Sequence, residues 1–407
     1  MKILIVGAGI GGSVIAECLQ LHGYEVSLLD RQKGVAQETS AHKAALAHPH
    51  YGKAPSRLQR ITQFANQLVD KKWAAYRTHQ MAFQRLSEED WVCKDFVDAR
   101  LIEQGYTNTE VISLEPEEAL KLVGIREHGI LFKQAGIYDL PAISKSAIRD
   151  IPLTHQHWNI EISRIAYEQT KWQIFNSQNE LVEEGDALVL CNGIDAKRLL
   201  EQLGINLDLR VVRGQLSRFE IDAQSQWMRY LPKIALCGDG YCVPPEQING
   251  KTIWQVGSSY DEEIYDLTPW HESDEHNQQQ ALNLLAQQNL PREDLKPTMP
   301  FVGLRCVGSD RMPLIGPIPT QPGLFMATAF GARGVLWSSL AQEIITAHLE
   351  SYFAGEAFLR AGFLAGASEA FSSELAAAVA PARFLAGLLR GRGSNSKPIF
   401  PSAPRTK

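Results

Sequence analysis

The chain has 407 residues, of which 44% are hydrophobic and 21% are charged, and its formal net charge is −6. This length allows two domains or one large composite fold, and the composition is ordinary for a globular protein. The six cysteines are scattered without a C-x-x-C pair. This argues against a disulfide framework or a zinc site and favours a reducing, cytoplasmic location. No uncharged apolar run is long enough to cross a bilayer, so we expect a soluble protein without a membrane partner.

The first thirty residues predict a nucleotide-binding unit. Residues 3–6 are a short apolar run typical of a buried parallel strand. Three glycines follow it as G-x-G-x-x-G: Gly7, Gly9 and Gly12. A helical pattern over 13–22 then leads to a second strand over 25–30, which ends at Asp30. Glycines let the backbone approach a pyrophosphate at the helix N-terminus, and an acidic residue at this spacing can accept hydrogen bonds from ribose.

The rest of the chain favours FAD over NAD as the nucleotide. After Asp30 the sequence does not continue through alternating strands and helices. The pattern of strand, glycine turn and helix returns only at 185–204 and at 323–349. Three such turns, widely separated, predict one large nucleotide bound by a discontinuous domain.

These patterns resemble the D-amino acid oxidase-like family of FAD enzymes, which includes glycine and sarcosine oxidases. The resemblance extends to about residue 350. It implies a mixed α/β (α+β) fold, with a discontinuous Rossmann-like FAD-binding domain and an antiparallel-sheet substrate domain. The boundaries we expect are 1–88, 137–213 and 300–350 for the FAD-binding domain, 89–136 and 214–299 for the substrate domain, 351–390 for a helical extension, and 391–407 for a disordered basic tail.

The resemblance implies noncovalent FAD, with its pyrophosphate on the first glycine turn. No cysteine or histidine attachment signature lies near the turn at 330–334. That turn is expected to point its N–H groups at the pyrimidine edge of the flavin, where negative charge develops on reduction. The expected cofactor contacts are Gly7, Gly9, Gly11, Gly12, Asp30, Arg31, Ser40, Lys43, Ala44, Ala45, Ile165, Asn192, Gly193, Arg305, Gly331, Ala332, Arg333, Gly334 and Val335.

Residues 303–319, GLRCVGSDRMPLIGPIP, contain the arginine expected to bind substrate. In the amine-oxidising members of the family, an arginine in the context G-x-R…D-x-x-P-x-x-G binds the substrate carboxylate, and Arg305 and Asp310 match that context. A guanidinium gives a carboxylate two parallel hydrogen bonds. Tyr241 matches a family position whose hydroxyl helps to hold the same carboxylate. The alternative interpretation is that Arg305 forms a buried salt bridge, for example with Asp310.

Neither a Ser-His-Asp arrangement nor a carboxylate pair is evident, and flavin chemistry needs neither, because the protein supplies position and electrostatics. The expected catalytic residues are Arg305, Tyr241 and Arg333, although Arg333 could instead only hold its loop. Two histidines in AHPHY (47–51) stand without a third ligand, so we expect no metal.

Two segments of the chain are strongly basic. Residues 41–85 carry a net charge of +7 and residues 381–407 carry +6, which leaves −19 for the rest of the chain. Basic segments on an acidic protein are typical of a protein that binds an anionic partner such as nucleic acid. The alternative is that they only solvate a helix face and a tail.

A closer resemblance is to the FAD-dependent half of bifunctional enzymes that modify the wobble uridine of tRNA, and it is carried by six stretches together: residues 40–65, 212–219, 237–245, 257–261, 329–344 and 381–391. The resemblance implies oxidative removal of the carboxymethyl group from 5-carboxymethylaminomethyl-(2-thio)uridine, giving 5-aminomethyl-(2-thio)uridine, with tRNA as the partner. Since Met1 directly precedes the first strand, we expect no methyltransferase half here and a separate methyltransferase downstream. The alternatives are a free glycine, sarcosine or D-amino acid oxidase, or a flavoprotein regulator without turnover.

Overall fold

The computed structural model describes residues 1–356 and 368–385. Within them the chain forms nine α-helices: α1 (Ile10–Leu21), α2 (Arg57–Trp73), α3 (Lys94–Glu103), α4 (Pro116–Leu122), α5 (Leu140–Ala147), α6 (Ala196–Glu201), α7 (His271–Leu284), α8 (Gly334–Phe353) and α9 (Glu369–Val379).

The same residues form 21 β-strands: β1 (Lys2–Val6), β2 (Glu25–Leu29), β3 (Ala45–Ala47), β4 (Arg77–Arg85), β5 (Val111–Leu114), β6 (Gly129–Tyr138), β7 (Gln156–His157), β8 (Ile162–Glu168), β9 (Lys171–Asn176), β10 (Leu181–Gly185), β11 (Ala187–Leu190), β12 (Leu209–Ile221), β13 (Ala235–Gly238), β14 (Gly240–Cys242), β15 (Glu246–Ile248), β16 (Lys251–Gly257), β17 (Asp261–Glu262), β18 (Leu295–Pro297), β19 (Phe301–Gly308), β20 (Leu314–Pro317) and β21 (Leu324–Thr328).

The chain divides into two compact units. Unit 1 comprises Met1–Ala41, Pro141–Val211 and Arg305–Lys407, and unit 2 comprises His42–Leu140 and Val212–Leu304. Each unit is built on its own main sheet. The expected mixed α/β fold is confirmed.

Unit 1 is built on a six-stranded sheet in the order β20-β21-β11-β1-β2-β7. β1 pairs in parallel with both β11 and β2, and only β20, at one edge, runs antiparallel to its neighbour. The apolar run Ile3, Leu4 and Ile5 is fully buried, as a strand covered on both faces requires. α1 packs against α8, and α8 packs against β20 and β21. A separate antiparallel sheet, β10-β9-β8, places Trp172 in the same core.

Unit 2 is built on a mostly antiparallel sheet whose main path is β17-β12-β16-β14-β13-β4-β6-β3. Along this path only β13 and β4 pair in parallel. The fully buried Trp227 and Trp254 lie in one of its cores, with ring centroids 5.7 Å apart. α2 packs against β6.

The boundaries of the units differ from those expected at one long segment. Residues 42–88, which the sequence assigned to the FAD-binding domain, lie in unit 2. The reason is strand pairing: β3 and β4 both pair with β6, and β4 also pairs with β13. Local sequence pattern does not encode these distant partners. The internal boundaries expected at 136/137, 213/214 and 299/300 lie at 140/141, 211/212 and 304/305, and the described part of the expected extension belongs to unit 1.

The expected helical extension is described only in part. α9 begins after Ser368, whose hydroxyl accepts a hydrogen bond from the Phe371 N–H group, and the helix packs against β20. Leu385 is fully buried in the unit 1 core. The predicted tail over 391–407 lies outside the described residues. Among the described helices, none combines the length and the apolar character that a membrane crossing needs.

Candidate functional site

The glycine-rich turn between β1 and α1 depends on two glycines for its shape. Gly7 has φ +104°, and a β-carbon there would lie 2.6 Å from the backbone carbonyl of Cys191. A β-carbon on Gly12 would lie 1.8 Å from the Gly7 carbonyl oxygen. No larger residue fits at either position unless the backbone moves. These glycines therefore let α1 start directly against β1 and the end of β11.

Two further glycines of this turn lie against side chains. A β-carbon on Gly9 would lie 3.1 Å from the Ser40 hydroxyl oxygen, and one on Gly11 would lie 2.8 Å from the Phe330 ring. The Ser40 hydroxyl also accepts a hydrogen bond of 3.1 Å from the Ile10 N–H group. Gly9 is the N-cap residue of α1 and, as a glycine, has no side chain that could cap the helix. The start of α1 is thus suited to an anionic group such as a pyrophosphate.

Asp30 fixes the same turn from the end of β2. One carboxylate oxygen accepts a hydrogen bond of 2.6 Å from the Ala8 N–H group, and the other accepts one of 2.8 Å from the Gln32 N–H group. Burial raises the pKa of Asp30, and the two backbone hydrogen bonds offset only part of that rise. A carboxylate has lone pairs for further donors, so the predicted contact with ribose stays a prediction.

Arg31 is engaged with two acidic side chains. Its guanidinium donates to both carboxylate oxygens of Glu38, at 2.6 and 2.8 Å, and lies 3.0 Å from Asp195. The hydrogen bonds to Glu38 raise the pKa of Arg31 above its ordinary value. Arg31 therefore ties the segment after β2 to the turn that precedes α6. Neither Glu38 nor Asp195 was a predicted site residue.

The turn after β11 carries Asn192 and Gly193. The side-chain oxygen of Asn192 is buried and has no hydrogen-bond partner among the described residues. A β-carbon on Gly7 would lie 2.7 Å from the Asn192 α-carbon, so this turn touches the first glycine turn. An unsatisfied buried amide oxygen next to a glycine turn is what a bound nucleotide would explain.

The third turn, 329–334, leads into α8. Ala329 and Gly331 both have positive φ, 60° and 53°, and the Gly331 N–H group donates to the Cys306 carbonyl oxygen at 2.9 Å. Burial lowers the pKa of Arg333, and the nearby Arg311 charge lowers it further. Among the other predicted residues of this turn, Ala332 is exposed, Gly334 begins the helix and Val335 is buried.

Arg305 lies on β19, beside that turn. Side chains alternate along a strand, so Arg305 and Val307 lie on the face opposite Cys306, which is buried in the core. Val307 pairs with Phe330 and lies 3.7 Å from a β-carbon placed on Gly331. The face of β19 that carries Arg305 is thus directed at the predicted flavin turn.

Asp310 does not serve as the salt-bridge partner of Arg305 that the alternative interpretation named. Both of its carboxylate oxygens accept hydrogen bonds from Arg383, at 2.6 and 3.1 Å. Burial raises the pKa of Asp310, but the bonds from Arg383 and from the Met312 N–H group outweigh it and leave this pKa below its ordinary value.

Four predicted residues lie in unit 2. The Tyr241 hydroxyl donates a hydrogen bond of 2.9 Å to the Ala44 carbonyl oxygen. Ala44 and Ala45 are buried, Lys43 is exposed, and Ala45 begins β3. The structure thus brings Tyr241 and Ala44 together, and the predicted carboxylate contact of Tyr241 stays a prediction.

Ile165, on β8 of unit 1, is a core residue. Its side chain is buried with Trp172 and Ile174, so any contact with a nucleotide would come from its backbone. In the part of the chain that the structure describes, no three His, Cys, Asp or Glu side chains are grouped as metal ligands would be. His48, of the AHPHY segment, lies 2.9 Å from the Pro49 carbonyl oxygen through its Nδ1 atom.

Four of the eight basic residues of the segment 41–85 lie on an exposed face of α2. Ile61, Ala65 and Val69 of α2 are fully buried, whereas four basic residues of this helix are exposed: Arg57, Arg60, Lys71 and Lys72. Arg77 of the same segment pairs with Asp70. The apolar residues of α2 thus lie on its buried side and these four basic residues lie on its exposed side. We call the four exposed basic residues the α2 basic face.

In unit 1 the second and third glycine turns both contact the first one. The glycine positions, the start of α1 and the buried Asn192 oxygen all suit a dinucleotide. Residues 2–348 match the family described as DAO, FAD dependent oxidoreductase. The chain belongs to this family of FAD-dependent oxidoreductases.

This oxidoreductase is similar to curated proteins named tRNA 5-methylaminomethyl-2-thiouridine biosynthesis bifunctional protein MnmC. It is 29% identical over 427 residues to the one from Ralstonia nicotianae, which covers 95% of this chain and 61% of that protein. It is 26% identical to the one from Cupriavidus necator, with coverage of 95% and 61%. The chain therefore spans about three fifths of the length of these relatives.

Solved structures show the same fold. The oxidoreductase resembles glycine oxidase from Bacillus cereus with a TM-score of 0.69 at 17% identity, over 86% of this chain and 95% of that one. It also resembles L-alpha-glycerophosphate oxidase from Mycoplasma pneumoniae, solved with FAD bound, with a TM-score of 0.68 at 14% identity, over 86% and 94%. At these identities the likeness concerns the fold alone.

Proposed function

We propose that this oxidoreductase removes the carboxymethyl group from 5-carboxymethylaminomethyl-(2-thio)uridine at the wobble position of tRNA and leaves 5-aminomethyl-(2-thio)uridine. The observation that carries the proposal is the match over 95% of the chain to relatives named for tRNA 5-methylaminomethyl-2-thiouridine biosynthesis. The group to be removed is an N-substituted glycine, which suits a fold shared with glycine oxidase.

Arg305 has the chemistry to hold the carboxylate of that group. Its strand face is directed at the 329–334 turn, so a carboxylate bound by the guanidinium would bring the neighbouring methylene carbon to that turn. FAD, when bound, supplies the two-electron acceptor. The methylene carbon gives up a hydride and the nitrogen a proton, which leaves a carbon–nitrogen double bond in the substrate. Water then cleaves that bond into glyoxylate and the primary amine on the uridine.

Arg333 would stabilise negative charge at the start of α8. The helix N-terminus and a partly buried guanidinium both favour an anion there. In unit 2 the α2 basic face offers four exposed cations, which suits the phosphates of tRNA. A tRNA substrate also fits the expected cytoplasmic location.

Methylation of the new amine is a separate reaction, because oxidation supplies no methyl group. We therefore propose that a separate methyltransferase acts on the product.

The test is an incubation of the FAD-loaded protein with tRNA that carries the carboxymethylaminomethyl group, followed by nucleoside digestion and mass spectrometry. We expect the mass of the modified uridine to fall by the mass of a carboxymethyl group minus the mass of the hydrogen that replaces it. Glyoxylate should appear in an amount equal to that of the product. Arg305→Ala protein, with FAD content verified, is the control. Oxidation of free glycine or sarcosine with the tRNA left unchanged would instead support a free amino acid oxidase.

A further inference from the structure

Two arginines of unit 1, Arg311 and Arg333, lie on neighbouring turns. Arg311 lies on the 308–312 turn after β19, and Arg333 lies on the 329–334 turn before α8. The Gly331 N–H group donates to the Cys306 carbonyl oxygen at 2.9 Å, and a β-carbon placed on Gly308 would lie 3.9 Å from the Ala329 β-carbon. The turns are therefore in contact. Burial is the main cause that lowers the pKa of Arg333, and the charge of the nearby Arg311 lowers it further.

Among the residues that the structure describes, no acidic side chain neutralises either guanidinium. Over residues 1–356 and 368–385, the side chains of Arg311 and Arg333 have no hydrogen-bond or ion-pair partner. Like charges on adjacent turns repel each other, and an anion bound beside them would relieve that repulsion. Arg333 is partly buried and is proposed to face the flavin, whereas Arg311 is exposed.

The backbone at Arg311 is strained and held in place. Its φ is 59°, a conformation that arginine rarely adopts. The turn is held by Arg383, which donates to both oxygens of Asp310 and, at 3.0 Å, to the Met312 carbonyl oxygen. The fully buried Leu385 anchors that segment in the core. Strain that the surrounding structure maintains is concentrated at functional sites.

We propose that Arg311 binds a backbone phosphate of the substrate RNA beside the modified uridine. This inference rests on the proposed function. The only anionic group of an N-substituted glycine is its carboxylate, which Arg305 is proposed to take, so a free small substrate leaves Arg311 without an anion. A nucleotide within RNA adds flanking phosphodiesters, and a guanidinium matches a phosphate through two hydrogen bonds. Arg311 thus selects RNA over a free amino acid, and Asp310 and Arg383 act as its positioning residues.

The test compares Arg311→Gln with Arg149→Gln, an exposed arginine elsewhere in unit 1 whose side chain is 75% accessible. Binding of a labelled, unmodified anticodon stem-loop is measured between low and moderate salt. We expect Arg311→Gln to weaken binding about tenfold. The salt slope of log K should fall by about 0.7, as for one phosphate on a single strand. The ratio of kcat/KM for modified stem-loop to that for the free modified nucleoside should also fall about tenfold, and Arg149→Gln should change neither quantity.

The outcomes separate this inference from the proposed function. An unchanged salt slope in Arg311→Gln overturns the inference even if the wild type oxidises modified tRNA. An equal loss for stem-loop and nucleoside also overturns it, because Arg311 would then act on the small group. A wild type that binds the stem-loop but leaves modified tRNA unoxidised refutes the proposed reaction, while a reduced slope in the variant still supports the phosphate contact. A wild type that binds no RNA refutes both.

Discussion

The Ser40 hydroxyl oxygen accepts a hydrogen bond of 3.1 Å from the Ile10 N–H group, in the first turn of α1. The same oxygen lies 3.1 Å from the place that a β-carbon on Gly9 would occupy. Gly9 has φ −69°, so a side chain there is not excluded by backbone strain. A side chain at Gly9 would therefore crowd Ser40 and the space at the start of the helix, where the pyrophosphate is expected.

Gly9→Val should yield folded protein that has lost most of its FAD, because the new side chain would fill that space. The measurement is the flavin absorbance per protein after purification, together with the melting temperature after added FAD. Gly34→Ala is the control, because a β-carbon at Gly34 would meet nothing within 4 Å. Full flavin content in Gly9→Val would show that the pyrophosphate binds elsewhere.

FAD should be held without a covalent bond. Cys306, on the strand of Arg305, is buried in the core, and burial raises the pKa of its thiol to about 11, so little of the reactive thiolate form is present at neutral pH. Acid precipitation should therefore release the yellow colour into the supernatant. Colour that stays with the precipitated protein would show a covalent link.

Neutralising the α2 basic face should weaken tRNA binding. Replacing Arg57, Arg60, Lys71 and Lys72 by glutamine removes up to four phosphate contacts, so the salt dependence of log K should flatten by up to about 3. The control replaces two exposed lysines elsewhere in unit 2, Lys121 and Lys296, by glutamine, and its loss of affinity should be small. Binding is measured by titration at several salt concentrations. A parallel loss of FAD or of melting temperature would point to misfolding instead.

His348 should make stability depend on pH. It lies near Gly316 and Pro381, and burial lowers its pKa from 6.5 to about 4. The folded protein therefore keeps His348 neutral in a range where the unfolded chain takes up a proton, so stability falls as the pH drops from about 6.5 to about 4. The loss can reach about 1.4 kcal/mol per pH unit.

The measurement for His348 is the melting temperature of wild type and His348→Gln between pH 7.5 and 4.5. The wild type should lose more stability across this range than the variant, and the two should run parallel above pH 7. Equal slopes throughout would mean that His348 is accessible to protons in the folded state.

The parts of the fold that the sequence predicts well are those whose partners lie nearby in the chain. Strand, glycine turn, helix and acidic residue over 1–30 were predicted because all of these contacts fall within one short segment. The same holds for the helix that ends the 323–349 pattern, which the structure shows as α8 (Gly334–Phe353).

Contacts between residues far apart in the chain are not predicted by the sequence. Residues 42–88 join unit 2 because β3 and β4 pair with β6, and Asp310 pairs with Arg383, 73 residues further on. The bond between Tyr241 and Ala44 spans 197 residues. No local pattern of charge or hydrophobicity specifies such partners.

Arg305 provides the sharpest test of the substrate assignment. Arg305→Lys keeps the charge but loses the two-pronged geometry, and Arg305→Ala loses both. Loss of a charge-assisted pair from a desolvated site should cost roughly 2–5 kcal/mol, about a thirtyfold to several-thousandfold fall in kcat/KM for the carboxymethylamino substrate. The kcat/KM of Arg305→Lys should lie between that of Arg305→Ala and that of wild type.

The readouts that accompany the Arg305 kinetics decide what the arginine does. Its strand face is directed at the 329–334 turn and away from the core, so FAD content and melting temperature should stay near those of wild type. Affinity for tRNA should change little, because phosphates dominate it. A substrate analogue in which an amide replaces the carboxylate should be a poor substrate for wild type and should lose little more in Arg305→Ala, since the partner of the guanidinium is already gone. If Arg305→Ala instead loses its flavin or unfolds, the arginine is structural and the carboxylate-binding role is wrong.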